Sequence, residues 1–487
     1  MQPVVLTEGG LTIEEVCRVA DGAAVEIHPD AKASAKRSRE ALERLEESGQ
    51  SIYGVNTGFG PLKSVVIPPN ERVHLQENLI RSHAMGVGVP LESRDVRAAM
   101  LLTAATHLRG RSGVDGSAAE RIVRSLNDGD EIRVPSRGSL GASGDLAPLA
   151  HIALHLAQGI DPPLTLTSKL GLSLINGTHV HTGIAARLIP MCELLARAAD
   201  VACAMNLEAM LCSRHPFRED VHNLRPHPHQ IRSASNIRRL IEGSALIESH
   251  ANCDEIQDAY SIRCAPQVHG AARQAVAHAR EVVEIELQSV TDNPLVIGDE
   301  VVSAGHFHGE PVGLALDYLK IGVSELGAIS ERRSERALNK DYNRGLPAFL
   351  VHEAGLNSGM MICQYTAAAL VSENKVLCHP SCVDSITTGA NQEDHVSMAM
   401  NAALHAKQVV ANVQAILSIE LVVAAQALEA RAELESASPG KGVVAAWKAV
   451  RGQVAPLKKD RSLSEEIENL DLSLIVQAAS QAVGGLD

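Results

Sequence analysis

Aromatic residues are scarce in this sequence, which has one Trp, five Tyr and four Phe among 487 residues. A core with so few rings has to be built from Ala, Val, Leu and Ile, and such a core suits closely packed helices. The hydrophobic share of 45% is that of a globular protein. The chain is too long for one ordinary core, so we expect two or three lobes.

The features that would direct a protein to nucleic acid, to a membrane or out of the cell are also missing. The formal net charge of −14 argues against nucleic acid or an anionic membrane as a partner. No uninterrupted apolar run reaches the roughly 18 residues of a membrane span. The N-terminal stretch carries Glu8, Glu14 and Glu15 and lacks the basic-then-apolar order of a signal peptide. Nine cysteines without a regular spacing fit reduced thiols, so we expect a cytoplasmic protein.

Glycine and proline are absent from residues 390–438, a stretch rich in good helix formers. It predicts a helix of about 45 residues, roughly 65 Å long, that is apolar on most faces and lies inside a bundle or between subunits. Further long helices are predicted at 311–340, 355–378, 186–212 and 268–290. The first 170 residues, by contrast, contain glycine-rich loops at 51–64 and 131–145. We therefore predict a mainly α protein, divided into an N-terminal lobe (1–175), a long-helix bundle (176–440) and a C-terminal helical cap (441–487).

The run GSLGASGDLAPLAH (138–151) places Ala142, Ser143 and Gly144 between another glycine and an aspartate. Glycine after serine offers an unhindered amide nitrogen and a backbone that tolerates strained angles. If the Gly144 nitrogen is pressed against the Ala142 carbonyl carbon, it can close a five-membered ring. Loss of water from Ser143 then leaves a conjugated methylene group, which is a strong electrophile. The tripeptide by itself more commonly forms a helix cap, with Ser143 or Asp145 starting the next segment.

Five stretches spread over nearly the whole chain resemble the aromatic amino acid ammonia-lyases, the family of the histidine, phenylalanine and tyrosine enzymes. They are GSLGASGDLAPLAH, YGVNTGFG (53–60), NGT (176–178), QDAYSIRCAPQVHG (257–270) and ANQEDHVSM (390–398). The resemblance implies a long-helix bundle of the ammonia-lyase/fumarase type with a loop-rich N-terminal lobe. It also implies that Ala142, Ser143 and Gly144 form a methylidene-imidazolone (MIO) group with no external cofactor. A homotetramer with active sites shared between subunits is implied as well.

The resemblance assigns roles to further residues. Tyr53 is similar to the family's catalytic tyrosine, which takes the β-proton of the substrate; since a phenol titrates near 10, it needs positive surroundings. Arg263 is similar to the arginine that holds the substrate carboxylate, for which a planar guanidinium is well suited. Asn176 and Tyr260 are similar to polar groups around the MIO ring and the carboxylate, and Phe307 to an aromatic wall behind the ring.

Three positions resemble the histidine enzymes within that family. They are His83 in RSHAMGVG (81–88), Met361 in NSGMMICQ (357–364) and Glu393 in NQEDHVSM. The two nitrogens of an imidazole ring require a donor and an acceptor, which His83 and Glu393 can supply as a titratable pair. Taken alone, His83 is more commonly a core histidine, and Glu393 beside it favours a role in substrate binding. The expected reaction is elimination of ammonia from L-histidine to give trans-urocanate.

Some positions around the predicted pocket depart from the family pattern. His306 stands where asparagine is usual, His179 where the histidine enzymes carry glutamine, and the connection 151–176 is shorter than usual. Tyrosine, phenylalanine or another imidazole amino acid therefore stays open as the substrate. A 2,3-aminomutase shares the first chemical steps and also stays open.

Two alternatives of other classes were weighed against the lyase. The pairs His179/His181 and His306/His308 and the stretch CHPSC (378–382) have no recognised zinc spacing, so no metal site is predicted. A catalytically silent helical oligomer is the other alternative. The joint presence of Tyr53, Ser143, Asn176 and Arg263 argues against it, because a site without activity has no physical need for that combination.

Overall fold

The computed structural model describes residues 2–158, 164–251 and 256–487. Part of the 151–176 connection, residues 159–163, therefore lies outside the described residues. The described residues are mainly helical, as the sequence predicts. The helices of the first part of the chain are α1 (Ile13–Ala20), α2 (Pro29–Glu47), α3 (Arg72–His83), α4 (Ser93–Leu108), α5 (Ser117–Asp128), α6 (Leu146–Gln158), α7 (Leu170–Ile175), α8 (His179–Ala209), α9 (Glu219–Asn223) and α10 (Pro228–Leu240). The later helices are α11 (Ala245–Ser249), α12 (Tyr260–Arg263), α13 (Ala265–Leu287), α14 (Glu310–Leu338), α15 (Met361–Leu377), α16 (Ala399–Glu435), α17 (Lys441–Arg451), α18 (Ser464–Glu468) and α19 (Leu472–Ala482).

Strands are short and form three two-stranded sheets in the described part of the chain. The strands are β1 (Val4–Leu6), β2 (Val25–Ile27), β3 (Val87–Pro90), β4 (Pro135–Arg137), β5 (Leu295–Ile297) and β6 (Glu300–Val302). Strands β1 and β2 pair in parallel, with Val4 opposite Val25. The pairs β3–β4 and β5–β6 are antiparallel.

The predicted long helices are present, although two of them begin later than predicted. Helix α14 covers the predicted 311–340 region. Helix α15 begins at Met361, several residues after the predicted start at 355. Helix α16 has 37 residues and begins at Ala399. The residue before it, Met398, has a positive φ angle of 50°, as Ala390 and Asn391 do at 49° and 70°, and a helix does not allow such angles.

The chain divides into two compact units, each assembled from three stretches. The first comprises Met1–Ile189, Ala279–Asp317 and Pro380–Leu404, and the second comprises Pro190–His278, Tyr318–His379 and His405–Asp487. The three-part division predicted from the sequence stays a prediction.

Small residues bring helices close together in the first unit, which fits the scarcity of aromatic residues. Ala98 and Ala99 of α4 are fully buried. A Cβ atom added to Gly183 of α8 would lie 3.0 Å from the Cβ of Ala98. The two helices can therefore touch at this point without a large side chain between them.

The second unit contains buried charges that neutralise one another. Nη2 of Arg333 donates to Oε2 of Glu420 at 2.8 Å, and Nδ2 of Asn206 donates to Oε1 of the same carboxylate at 2.8 Å. Asp200 is fully buried as well and accepts a hydrogen bond from Arg273. Burial alone raises the pKa of Asp200, but Arg273 and His269 lower it to about 2, so the carboxylate stays ionised.

Helix α16 is the one helix of the described residues that is long and apolar enough to pass a length-and-composition test for a membrane span. Its most apolar window has a mean hydropathy of 1.7, and 78% of that window is buried inside the protein. A buried core helix passes the same test, and α16 is mostly buried.

Candidate active site

A cavity of about 850 Å³ lies in the first unit, within the range of small-molecule sites. Segments that are far apart in the sequence surround it. They contribute the cavity residues Ser51, Tyr53, Thr57, Gly60, Lys63, Ala142, Ser143, Asn176, Asn293, Ser303, Ala304, Gly305, Phe307, His308, Gly389, Gln392, Glu393, Asp394 and His395. The structure thus brings together Tyr53, the tripeptide, Asn176, Phe307 and Glu393 from the sequence prediction.

Tyr53 is held in an ordered loop. Its phenolic oxygen accepts a hydrogen bond from the backbone N–H of Gly60 at 3.0 Å. The loop itself is fixed by Asn56, whose Oδ1 accepts from the N–H of Ile52 at 2.7 Å, and by Gln76, which donates to the carbonyl of Gly54 at 3.0 Å. This contact fixes the position of the phenolic oxygen at the cavity.

The backbone on both sides of the tripeptide is tightly confined. The carbonyl of Gly141 accepts from the N–H of Gly309 at 2.9 Å and from Oγ of Ser397 at 3.0 Å. Gly144 has a φ of +72°, and a Cβ atom added there would lie 2.0 Å from the carbonyl oxygen of Gly177. A residue other than glycine does not fit at position 144 unless the backbone moves.

Asp145 does not cap the helix that it precedes. Its carbonyl accepts the first hydrogen bond of α6, from Leu149, but its carboxylate accepts from the N–H groups of Val180 and His181 at 2.9 Å, at the start of α8. Ser139 adds a third donor at 2.7 Å. Asp145 was expected to cap α6, but its side chain caps α8 instead. The C-terminal end of the tripeptide is thereby held against the start of α8.

His181 faces the same carboxylate, with Nδ1 2.8 Å from Oδ2 of Asp145, and both side chains are fully buried. Burial raises the pKa of Asp145, but the contact with His181 lowers it below its ordinary value. Burial lowers the pKa of His181, but the Asp145 carboxylate raises it above its ordinary value. The directions of both pKa shifts favour the charged forms in this pair.

His179 has different surroundings from His181. Its ring nitrogens lie 3.2 Å from Oγ1 of Thr103 and 3.0 Å from Oγ1 of Thr106. Burial, together with His107, lowers the pKa of His179 to about 3, so the ring is neutral. Among the described residues, no three His, Cys, Asp or Glu side chains are grouped so that they could hold a metal ion.

Asn176 ends helix α7 at the wall of the cavity. It is 4% exposed, and its Oδ1 has no hydrogen-bond partner within the described residues. A buried amide oxygen without a partner is costly unless a ligand pairs with it. The geometry leaves this side chain available to a group in the cavity.

Glu393 reaches the tripeptide directly. Its Oε1 accepts a hydrogen bond from Oγ of Ser143 at 2.7 Å, and its Oε2 accepts from Oγ1 of Thr388 at 2.7 Å. His83 is half-buried at the end of α3, and its Nδ1 lies 2.9 Å from the carbonyl of Leu79. Oγ of Ser82 lies 3.0 Å from the same Nδ1, so the role of Nε2 as donor or acceptor follows from the tautomer of the ring.

The electrostatics link His83 to Glu393. Burial lowers the pKa of His83, while the Leu79 carbonyl and the Glu393 carboxylate act in the opposite direction. The net direction favours the neutral imidazole. His83 itself is not among the residues that line the cavity.

The sequence prediction missed several residues of the cavity wall. Lys63 donates to Oε1 of Gln392 at 2.7 Å. The rings of His308 and His395 stack with centroids 5.8 Å apart, and Oδ1 of Asn293 accepts from the N–H of Ala304 at 2.7 Å. His395 lies in a stretch quoted for the family resemblance, whereas His308 was considered only as a possible metal ligand.

Tyr260, Arg263 and Met361 lie in the second unit and are not among the residues that line this cavity. Tyr260 is 70% exposed, and the Arg263 guanidinium lies 4.5 Å from the centre of its ring. Arg263 also donates to Oε1 of Gln257 at 2.8 Å. The structure of one chain therefore does not bring these three predicted residues to the tripeptide.

Comparison with known proteins agrees with the site. Residues 11–452 match the family described as aromatic amino acid lyase. The histidine ammonia-lyase of Gloeobacter violaceus is 46% identical, with 99% of this chain and 99% of that protein covered. The crystal structure of histidine ammonia-lyase from Trypanosoma cruzi is 38% identical with a TM-score of 0.89, covering 99% of this chain and 95% of that one. Tyrosine aminomutase from Streptomyces globisporus is 34% identical with a TM-score of 0.90, covering 99% and 98%.

A family match over most of the chain and a relative of this identity settle the class of protein. The chain belongs to the aromatic amino acid lyase family. It is an enzyme of the ammonia-lyase kind.

Proposed function

We propose that this protein eliminates ammonia from L-histidine to give trans-urocanate, as the first step of histidine breakdown, with an MIO group made from Ala142, Ser143 and Gly144. The observation that carries the proposal is the convergence of Tyr53, the tripeptide and Glu393 on one cavity. The similarity to histidine ammonia-lyases over nearly the full chain supports the choice of substrate. The thiols of six described cysteines are free, which supports work in the cytoplasm: Cys17, Cys192, Cys203, Cys212, Cys264 and Cys363.

The residues present fit the MIO group. The contact between Gly144 and Gly177 leaves no space for a side chain, and the positive φ of Gly144 suits glycine. The unpaired Oδ1 of Asn176 lies at the same cavity. Once formed, the group supplies an electrophile that takes up the substrate amine and makes it a better leaving group.

Tyr53 is the base in this proposal. Its phenolic oxygen receives the β-proton of histidine, the Cα–N bond breaks, and the electron pair of the C–H bond becomes the double bond of urocanate. The hydrogen bond from the N–H of Gly60 holds this oxygen in place at the cavity. A positioned base of this kind contributes about 10²–10⁴-fold in rate.

His83 and Glu393 recognise the imidazole ring of the substrate through its two nitrogens. Glu393 offers its Oε1 as an acceptor beside the tripeptide, and Nε2 of the neutral His83 pairs with the other ring nitrogen of the substrate, in the tautomer that supplies the donor. Phe307 lines the cavity as an apolar wall, and Met361 completes the ring pocket from a neighbouring chain. A phenyl ring would leave both polar groups of the pair without partners.

The protein is proposed to be a homotetramer whose active sites are shared between chains. In this arrangement Arg263 and Tyr260 of another copy bind the substrate carboxylate. Apolar side chains on α15 support association, since Ile362, Tyr365 and Val376 are more than half exposed. Light scattering should give a tetramer at assay concentration, and a monomer that is fully active would refute shared sites.

The test of function is turnover of histidine, tyrosine and phenylalanine by the purified protein. Ultraviolet absorbance reports the conjugated acid, and chromatography of the products separates it from a β-amino acid. Urocanate from histidine is the expected result. A β-amino acid as the main product would identify an aminomutase, the activity of the Streptomyces globisporus relative, and no product from any of the three would refute the proposal.

A further inference from the structure

The segment from Thr388 to Glu393 is a short loop closed at its base. The N–H of Thr388 donates to the carbonyl of Glu393 at 2.9 Å, and the N–H of Glu393 donates back at 3.3 Å. Between them, Gly389, Ala390 and Asn391 have positive φ angles of 55°, 49° and 70°. Two consecutive non-glycine residues in this region store strain, and such strain persists where it positions a functional group.

The group that this loop positions is the carboxylate of Glu393. Oγ1 of Thr388 donates to Oε2 at 2.7 Å, so one carboxylate oxygen is turned toward the loop. The other oxygen, Oε1, is thereby directed at Oγ of Ser143, 2.7 Å away in the cavity. The backbone closure and the hydroxyl contact together fix both the place and the rotation of this carboxylate.

We propose that Thr388 is a specificity-determining positioning residue, which holds Oε2 of Glu393 so that Oε1 accepts an N–H of the substrate imidazole. The inference rests on the proposed function, in which Glu393 reads the ring. Formation of the MIO group removes Oγ of Ser143 as water, so Oε1 then loses its present donor. The carboxylate is left oriented with one acceptor free at the tripeptide.

Thr388→Val removes the hydroxyl and keeps the branched shape. Without its donor the Glu393 carboxylate can rotate, so kcat/KM for histidine should fall about tenfold, the size expected for one hydrogen bond to a charged group. Activity toward phenylalanine, which has no ring N–H, should change less than about twofold. Thr388→Ser restores the hydroxyl and should recover histidine turnover to within about threefold of the wild type.

A double-mutant cycle tests whether Thr388 acts through Glu393. If it does, adding Thr388→Val to Glu393→Gln should lower histidine turnover by less than about twofold, because the oriented group is already altered. The matched control is Thr182→Val: this hydroxyl is buried and has no partner among the described residues, so its loss should leave kcat/KM unchanged. Intact mass and circular dichroism on each variant establish that the MIO group and the fold are retained.

The outcomes separate this inference from the proposed function. If Glu393→Gln abolishes the preference for histidine but Thr388→Val leaves kcat/KM unchanged, the role of Thr388 is wrong and the function stands. If Thr388→Val lowers histidine and phenylalanine turnover equally, or if its effect adds fully to that of Glu393→Gln, Thr388 is a structural residue and the inference fails. If Glu393→Gln leaves the histidine preference unchanged, the ring-reading role fails and the inference fails with it.

Discussion

Replacing Gly144 by Ala should prevent the tripeptide from cyclising while the protein still folds. The added Cβ atom would lie 2.0 Å from the Gly177 carbonyl oxygen and 2.3 Å from its carbonyl carbon. Relief requires the two backbones to separate by about 1.4 Å, from 2.0 Å to the 3.4 Å at which ordinary van der Waals contact begins. That movement breaks the hydrogen bond from the N–H of Asp145 to the Gly177 carbonyl, now 2.8 Å long. The backbone contact with Gly177 that keeps the tripeptide compact is thereby lost.

The backbone strain of this substitution can be measured separately. Gly129 has a φ of +76°, close to the +72° of Gly144, but nothing lies within 4 Å of an added Cβ atom. Gly129→Ala therefore carries the left-handed penalty of about 1–2 kcal/mol without the collision. It should lower the melting temperature and leave cyclisation complete.

Intact-mass spectrometry is the assay. Wild type and Gly129→Ala should each weigh two waters less than their sequence mass, and Gly144→Ala should keep both waters and show no turnover. A folded Gly144→Ala protein that had lost two waters would refute the reasoning from steric contact. Loss of cyclisation in Gly129→Ala would show instead that backbone strain, not contact with Gly177, is decisive.

Three further predictions concern single side chains. Tyr53→Phe should keep the mass signature and lose about 10²–10⁴-fold in kcat, whereas a rate within about threefold of the wild type would require another base. His83→Leu should lower kcat/KM for histidine and raise it for phenylalanine; unchanged preference would remove His83 from the ring pocket. The pKa of His181 is raised by Asp145 above its ordinary 6.5, so the pair stabilises the fold fully below pH 6.5 and less as pH rises through the raised value. The melting temperature of His181→Gln should therefore lie furthest below that of the wild type near pH 6.5, and the difference should shrink as the pH rises through the raised pKa of His181. A difference that grows toward alkaline pH would contradict the ion pair.

The sequence contained enough to predict the helical fold, because helix propensity is a local property. The MIO chemistry of the tripeptide came from the family resemblance and stays a proposal. The predicted start of α16 was wrong, and the reason is physical. Residues 390–398 contain no glycine or proline, but Ala390 and Asn391 have positive φ in the closed loop that orients Glu393, and Met398 has a positive φ directly before the helix. Tertiary contacts override propensity in such a segment.

The partners of individual residues were beyond the sequence for a similar reason. His179 and His181 stand two residues apart and looked alike as candidate ligands. In the fold one is neutral among threonine hydroxyls and the other is paired with Asp145. Lys63 and Asn293 carry no local signal, because their place in the site depends on a cavity formed by distant segments.

The confinement of the tripeptide depends on segments that come together through folding. A Cβ atom at Gly141 would lie 2.3 Å from Oγ of Ser397, and one at Gly177 would lie 2.7 Å from Cε1 of His179. Gly141 thus permits the close approach of a segment that is distant in sequence, and Gly177 permits that of the first residue of α8. In the unfolded chain none of these approaches exists, and the Gly144 nitrogen has no reason to remain near the Ala142 carbonyl. The electrophile proposed here is consequently a product of the packed first unit, and a substitution that loosens this packing reduces activity even though it touches no substrate.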